Sequence, residues 1–348
     1  MTSVMIAMSG GVDSSVAAYL LQQQGYRCAG ATMRLLSEGA RSNCCSPEDA
    51  EDAKSVCERL GIPHYVFDFS KEFERDVVDK FAEEYRGGRT PNPCIECNRH
   101  LKFGGLLRLA NELGYEYIAT GHYARTEDGR LFAAKDSAKD QSYALYCLTR
   151  EQLARTLFPL GGMTKSETRR VAENCGFVNA RKKESQDICF VPDGDYAAFI
   201  ERQSGAKAAP GDFLDTSGRV IGRHGGLIRY TVGQRRGLGV SAEAPLYVKE
   251  KRASDNTIVL GNASEVRENM LIANNFNWIA ETPATPLRVT ARTRYHQPPH
   301  AATAEVLGGD VRVVFDEPQK PFAPGQAAVL YNGEEVLGGG VIGVARLP

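Results

Sequence analysis

Val4-Met5-Ile6-Ala7-Met8, followed by Ser9-Gly10-Gly11-Val12-Asp13-Ser14-Ser15, is the stretch whose reading decides the fold class of this chain. The apolar run is too short for an ordinary helix and suits a strand buried on both faces. Two adjacent glycines end it, and a helical pattern begins near Val16. Strand, glycine loop and helix in that order gather several backbone N–H groups around one concavity at a helix N-terminus. The positive partial charge there suits a phosphate. Ser9, Ser14 and Ser15 add hydroxyl donors, and the Asp13 carboxylate is placed to hold Mg2+ against phosphates. The lysine of a G-x-x-x-x-G-K-[ST] loop is missing, and the G-x-G-x-x-G spacing does not occur here. A tight turn carrying a Ser or Asp cap is the competing reading.

The same scheme repeats downstream. Cys28 to Met33 reads as a second strand. Pro47 then opens a helix with Ala50, Ala53, Cys57 and Leu60 on one face, and Gly61 stops it. His64 to Phe67 is the next strand, Leu101 to Leu113 a helix closed by Gly114, and Tyr117 to Thr120 a further strand. Alternating β and α units with short connections predict an α/β fold, with a Rossmann-like parallel sheet covered by helices on both faces. This nucleotide domain is assigned residues 1–204. Residues 205–270 are rich in glycine, carry the turn Asp215-Thr216-Ser217-Gly218 and show little helical period, which indicates a small central domain. From about residue 285 short strands alternate with Gly, Pro and Asn turns: Leu287 to Tyr295, Ala304 to Leu307, Val311 to Phe315, Ala327 to Tyr331 and Val336 to Val344. Residues 271–348 are therefore assigned to a C-terminal β-barrel.

The bulk numbers exclude several classes. A net charge of −1 does not announce a nucleic-acid partner. The clusters Arg181-Lys182-Lys183, Arg235-Arg236 and Arg292 with Arg294 can still track phosphates through their local field, or be ordinary solvated charge. The amino-terminal residues lack the basic and apolar regions of a signal peptide, and no window reaches the ~20 apolar residues of a membrane helix. A cytoplasmic protein with no membrane partner is expected. Nine cysteines in such a chain argue against a structural disulfide framework. Cys28, Cys57, Cys147 and Cys175 sit among apolar or helical neighbours and read as core residues. Cys94, Cys97 and Cys189 lie in Pro-, Asn- or Asp-rich settings, where packing explains them poorly. The pair Cys44-Cys45 has no evident role.

Thr90-Pro91-Asn92-Pro93-Cys94-Ile95-Glu96-Cys97-Asn98-Arg99 is a proline-held loop leading to the helix from Leu101. Cys97 just before that helix, beside Arg99, is expected to favour thiolate. Glu184 to Phe190 sets Cys189 among polar residues. A structural zinc site from Cys94, Cys97, His100 and Cys189 is an alternative, although zinc modules usually bring a second tight ligand pair.

Six motifs occur in order: S-G-G-V-D-S-S, T-P-N-P-x-x-x-C-N-x-x-x-K-F from Thr90 to Phe103, A-T-G-H-Y from Ala119 to Tyr123, K-D-Q-S-Y from Lys139 to Tyr143, S-x-D-I-C-F ending at Phe190, and T-x-G-Q-R-x-G-L-G from Thr231 to Gly239. The first resembles the pyrophosphate (PP) loop of the adenine nucleotide α-hydrolases. Together the six resemble the tRNA-specific 2-thiouridylases. The resemblance implies ATP contacts at Ala7, Met8, Ser9, Gly10, Gly11, Val12, Asp13, Ser14, Met33 and Gly121. It implies target-base contacts at Asn92, Pro93 and Cys94, and tRNA contacts at Lys139, Asp140, Gln141, Arg294 and Tyr295. Cys97 would be the nucleophile and Cys189 the persulfide carrier, with a disulfide between them during turnover. Many relatives have Asp where this chain has Cys94, so a general-base role does not carry over. Three cysteines also allow a [4Fe–4S] cluster on Cys94, Cys97 and Cys189, leaving one iron for sulfide.

What the resemblance implies is adenylation of O2–C2 of a wobble uridine by ATP with Mg2+, then replacement of oxygen by sulfur. The partners implied are a tRNA anticodon stem-loop and a sulfur donor such as a desulfurase or relay protein, and the expected state without tRNA is a monomer. The competing readings are an ATP-dependent ligase or amidating synthetase using the same loop, and a non-enzymatic RNA- or iron–sulfur-binding protein.

Overall fold

The structure, a computed structural model, describes residues 1–36, 46–183, 188–279, 281–284 and 286–343. Cys44, Cys45 and residues 184–187 lie outside that set. Strands β1 (Ser3–Ala7), β2 (Arg27–Arg34), β3 (His64–Asp68) and β4 (Tyr117–Ala119) form a parallel sheet in the order β3-β2-β1-β4, extended by Thr156–Leu157. Val4, Met5 and Ile6 are completely buried, which explains the unbroken apolar run. Their side chains alternate between the faces. Met5 joins a core with Phe73, Leu101, Leu106 and Ile118, while Val4 and Ile6 join one with Val16, Leu21, Ala53 and Cys57. Helices α1 (Val12–Gln23) and α2 (Pro47–Leu60) contribute to the second core. Helix α2 starts and stops where Pro47 and Gly61 indicate: Ser46 and Asp49 form a reciprocal capping box, and Gly61 takes the left-handed conformation.

The sheet runs to one side of β1 through β2 and to the other through β4, so the chain order reverses at β1. In such sheets the crevice for a ligand opens at the carboxyl ends of the two strands flanking the reversal. Here those ends carry Ser9–Ser15 and Thr120–His122.

The central part is a four-stranded sheet, Tyr247–Arg252, Thr257–Gly261, Gly211–Leu214 and Val220–His224, around buried Phe213, Val248 and Ile258. The last part is a barrel of Glu268–Trp278, Asp310–Gln319, His300–Leu307, Leu287–Arg292, Ala327–Asn332 and Glu335–Ile342, closed by pairing of the first strand with the last. The α/β class with a glycine-rich middle and a β-barrel is as the sequence indicates. Two elements differ. Glu268–Trp278 is a long strand although Asn274, Asn275 and Asn277 disfavour one. Asn277 offsets this through its partners, donating to the carbonyls of Tyr146 and Leu148 in the nucleotide domain. A hairpin of Arg125–Glu127 and Arg130–Phe132 adds to the barrel strand Glu335–Ile342. Asp128 and Gly129 turn it, both at positive φ, as a two-residue hairpin loop requires.

Lys251 joins the central sheet to the nucleotide domain. Its Nζ donates to Tyr230 O at 2.7 Å and lies 5.7 Å from the centre of the Tyr85 ring. Burial there lowers its pKa from 10.5 to about 8. Below about pH 8 the cost of burying the ammonium is fully present. Between about 8 and 10.5 the unfolded chain keeps a proton that the folded chain has lost, so this contribution to stability rises with pH. The melting temperature of the wild type relative to Lys251→Met should therefore climb through that window. A gap independent of pH would contradict the depressed value.

Candidate active site

A cavity of about 280 Å3 opens at the carboxyl ends of β1 and β4. It is lined by Ala7, Met8, Ser9, Asp13 and Ser14 from the glycine loop, Met33 from β2, Gly121, and all three candidate cysteines, Cys94, Cys97 and Cys189. Pro93 and Gln141 line it as well. The sequence-predicted nucleotide and sulfur residues, up to 182 positions apart, thus face one space. The loop is closely held. Gly10 has φ +71°, and a Cβ there would collide with the Asp49 backbone at the start of α2. Ser14 and Ser15 hydroxyls donate to Gly11 O at 3.1 and 3.0 Å. Gly121 sits so near the first turn of α1 that a Cβ would lie 2.8 Å from Ser14 N.

The carboxylate of Asp13, expected to face Mg2+, receives two bonds from Lys165 Nζ at 2.7 and 2.8 Å and one from the Tyr123 hydroxyl at 3.0 Å. Lys165 is the first residue of the helix Lys165–Asn174, whose cap is a reciprocal box of Thr164 and Glu167. Nothing in the sequence singles out that lysine, because its partner lies 152 positions away.

The proline-held loop becomes helical earlier than expected. Asn92 accepts a bond from Cys94 N as a cap, Pro93 takes the first position, and Pro93–Glu96 continues into wide i→i+5 turns over Cys97–Gly105. Cys97 therefore lies inside the helical run, and Cys94 in its first turn. Arg99, expected beside Cys97, pairs with Glu96 at 3.2 Å. Glu96 also draws Lys80 and His100, and His100 is not among the residues that line the cavity. Among the described residues no three Cys, His, Asp or Glu groups stand together to hold a metal ion. As they stand, the cysteines fit neither zinc nor a [4Fe–4S] cluster. Cys189 is half-buried, and its neighbour Phe190 is buried edge-on against Phe73 and Phe81. Cys147, by contrast, is core: burial pushes its thiol up to about 12, and it donates to Ile95 O.

His122 was missed as a site residue, although it falls in the A-T-G-H-Y motif. It lines the cavity, packs near Phe103 and Phe158, and has Nδ1 2.7 Å from Thr120 Oγ1. Burial, and then the Lys102 ammonium, push its pKa well below the ordinary imidazole value, so it is neutral at pH 7. Lys102 lines the same cavity.

The positions expected to meet tRNA divide. Gln141 faces the cavity and accepts from Tyr123 N; Tyr295 lies beside Gln141 and Cys94, with its hydroxyl pushed up to about 12 by burial. Lys139 is half-buried. Asp140 and Arg294 differ from expectation. Asp140 is 6% exposed and accepts from Ala134 N, Ser142 N, Ser142 Oγ and Arg292 Nη1, so its lone pairs are engaged within the protein. Arg294 donates to Val232 O and Pro321 O, tying barrel to central sheet. Lys182, read as surface charge or phosphate contact, bridges Asp49 and Asp52 at 2.6 Å each.

Three family models cover the chain in succession: the tRNA methyl transferase HUP domain over residues 2–193, the tRNA methyl transferase PRC-barrel domain over 197–262, and the aminomethyltransferase beta-barrel domain over 268–342. The tRNA-specific 2-thiouridylase MnmA of Carboxydothermus hydrogenoformans is 48% identical over 354 residues, covering 97% of both chains. That of Moorella thermoacetica is 49% identical over 352 residues, covering 97% of this chain and 98% of its own. Among solved structures, the U34-tRNA thiolase NcsA from Methanococcus maripaludis with its [4Fe-4S] cluster matches at 21% identity and a TM-score of 0.37, covering 58% of this chain and 66% of that one.

Asp140→Ala should cost roughly 3–5 kcal/mol in denaturant unfolding, because it leaves the largely buried Arg292 guanidinium without its carboxylate. If stability stays within about 1 kcal/mol and only tRNA binding weakens, Asp140 is an RNA contact instead.

Proposed function

The chain belongs to the tRNA-specific 2-thiouridylases, and we propose that it transfers sulfur to a tRNA-borne wobble uridine through Cys189 and Cys97 after activating O2 with ATP. It is an ATP-binding enzyme of tRNA 2-thiolation. One observation carries the finer reading: the glycine loop and the thiols of Cys97 and Cys189 line the same cavity. An amidating ligase would use the loop without two thiols beside it. The family-model labels speak of methyl transfer; paired cysteines against a nucleotide loop support sulfur transfer.

Uridine O2 attacks the α-phosphate, pyrophosphate leaves, and the N3 proton passes to solvent or a base in the cleft. The loop N–H groups stabilise the developing charge; Asp13, on releasing Lys165, would hold Mg2+, which would supply further positive charge there. The base leaves the anticodon stack to reach the pocket, as base-modifying enzymes require. Asn92, Pro93 and Cys94 lie against it, and Lys139, Gln141 and Tyr295 contribute to the tRNA face. The terminal sulfur of a Cys189 persulfide then bonds to C2 as the C2–O bond to AMP breaks. The Cys97 thiolate attacks Cys189 Sγ, so the Cys189–sulfur bond breaks and 2-thiouridine is released. A Cys97–Cys189 disulfide remains, and two electrons from an external thiol reopen it. A cysteine desulfurase or relay protein reloads Cys189. The setting is the cytoplasm, with the enzyme monomeric until tRNA binds; among the described residues no helix is long and apolar enough to cross a membrane.

Reconstituted thiolation followed by nucleoside mass spectrometry tests the assignment. Cys97→Ser and Cys189→Ser should each lower 2-thiouridine formation by at least about 100-fold, with ATP affinity retained by calorimetry. Unimpaired turnover in the double variant would favour the ligase reading. Loss of ATP binding in both would remove the assigned roles.

A further inference from the structure

Asn179 lies between the helix Lys165–Asn174 and the Cys189 segment, and only 3% of it is exposed. Its Nδ2 carries two hydrogens, and both reach the glycine loop. One goes to Gly10 O and the other to Ser15 Oγ, each at 2.9 Å. The Ser15 hydroxyl in turn donates to Gly11 O at 3.0 Å. A single amide thereby holds two consecutive carbonyls, the first directly and the second through a hydroxyl. The side-chain Oδ1 has no partner among the described residues.

A trans peptide is planar, with its C=O and N–H pointing in opposite directions. Drawing Gly10 O toward Asn179 therefore turns Gly11 N–H away from it. Holding Gly11 O does the same to Val12 N–H. The residues flanking this pair, Ser9, Asp13 and Ser14, line the cavity. Adjacent glycines leave these peptide planes more freedom to swing, because no Cβ restricts them; Gly11 O has a second hold in the Ser14 hydroxyl at 3.1 Å, whereas Gly10 O is held by Asn179. We infer that Asn179 is a positioning residue that aims the Gly11 and Val12 N–H groups at the β- and γ-phosphates of ATP. The inference rests on the reading of Ser9–Ser15 as a nucleotide loop. It assigns a role to a residue outside the cavity, in a stretch with no phosphate-binding signature.

Calorimetry with Mg2+-ATP and with AMP, which lacks the β- and γ-phosphates, separates positioning from general support of the fold. Asn179→Ala should weaken ATP about tenfold, the loss of aimed charge-assisted donors, while AMP affinity changes by less than about twofold. Asn179→Asp should weaken ATP further, because a carboxylate cannot donate and adds negative charge. Ser15→Ala removes only the relay to Gly11 O and should fall between wild type and Asn179→Ala; it decides the matter if the Asn179 variants do not fold. ATP affinity unchanged in the variant that folds, or ATP and AMP weakened by the same factor, overturns the inference. Failure of the wild type itself to bind ATP overturns the nucleotide reading instead.

Discussion

The contact on which the site depends is the one between Gly121 and the first turn of α1. It exists because β4 pairs with β1 on the edge opposite β2. Parallel strands deliver their carboxyl ends to one side of the sheet, so the glycine loop and the residues after β4 emerge together. A side chain at Gly121 would push against Asp13 and Ser14. Across that contact, Tyr123 and Lys165 reach the Asp13 carboxylate, and His122 enters the cavity wall. The anion-binding geometry of the loop is thus set from three directions: β4, the start of α2 behind Gly10, and Asn179.

The barrel takes part in the same construction. Thr90, at the head of the proline-held loop, donates its N–H to Pro324 O and accepts from Gln326 Nε2, each at 2.7 Å. Tyr143, fully buried, donates to Ala327 O. Arg292 reaches from the barrel to Asp140, its guanidinium also lying over the Tyr331 ring. Buried ion pairs add little net stability against apolar packing, but breaking one is costly, so they fix which arrangement is adopted. The K-D-Q stretch serves both ends: Asp140 locks the barrel in place while Gln141, its neighbour, faces the pocket.

What the sequence made legible was local. The strand–glycine–helix order, Pro47 and Gly61 as helix bounds, and the separation of three cysteines in Pro-, Asn- or Asp-rich settings from Cys28, Cys57, Cys147 and Cys175 all follow from near neighbours. What it hid was tertiary. Lys165 looks like any helix-start lysine until Asp13 is beside it. Arg294 looks like an exposed strand residue until Val232 arrives from the central domain and Pro321 from elsewhere in the barrel. The start of the helix at Pro93 was readable from Asn92 and Pro93, a cap and a first-position proline, but the later apolar pattern drew the boundary to Leu101. The Asp128-Gly129 hairpin had its local signal as well; that it extends the barrel is fixed only by the partner strand.

The same constraints bear on how sulfur travels along the proposed route. A disulfide between Cys97 and Cys189 needs their Cα atoms within about 7 Å. Cys97 is buried inside a helical run whose base is clamped by the barrel at Thr90, so it is the less movable partner. On the other side, Phe190 is held by Phe73, Phe81 and Phe199, with ring centres 5.2–5.6 Å apart. Withdrawing that ring would expose a fully buried aromatic, at a cost of about 1.5–3 kcal/mol before any lost ring contacts. The aromatic anchor thus keeps Cys189 at the cavity, as the proposed sulfur transfer requires.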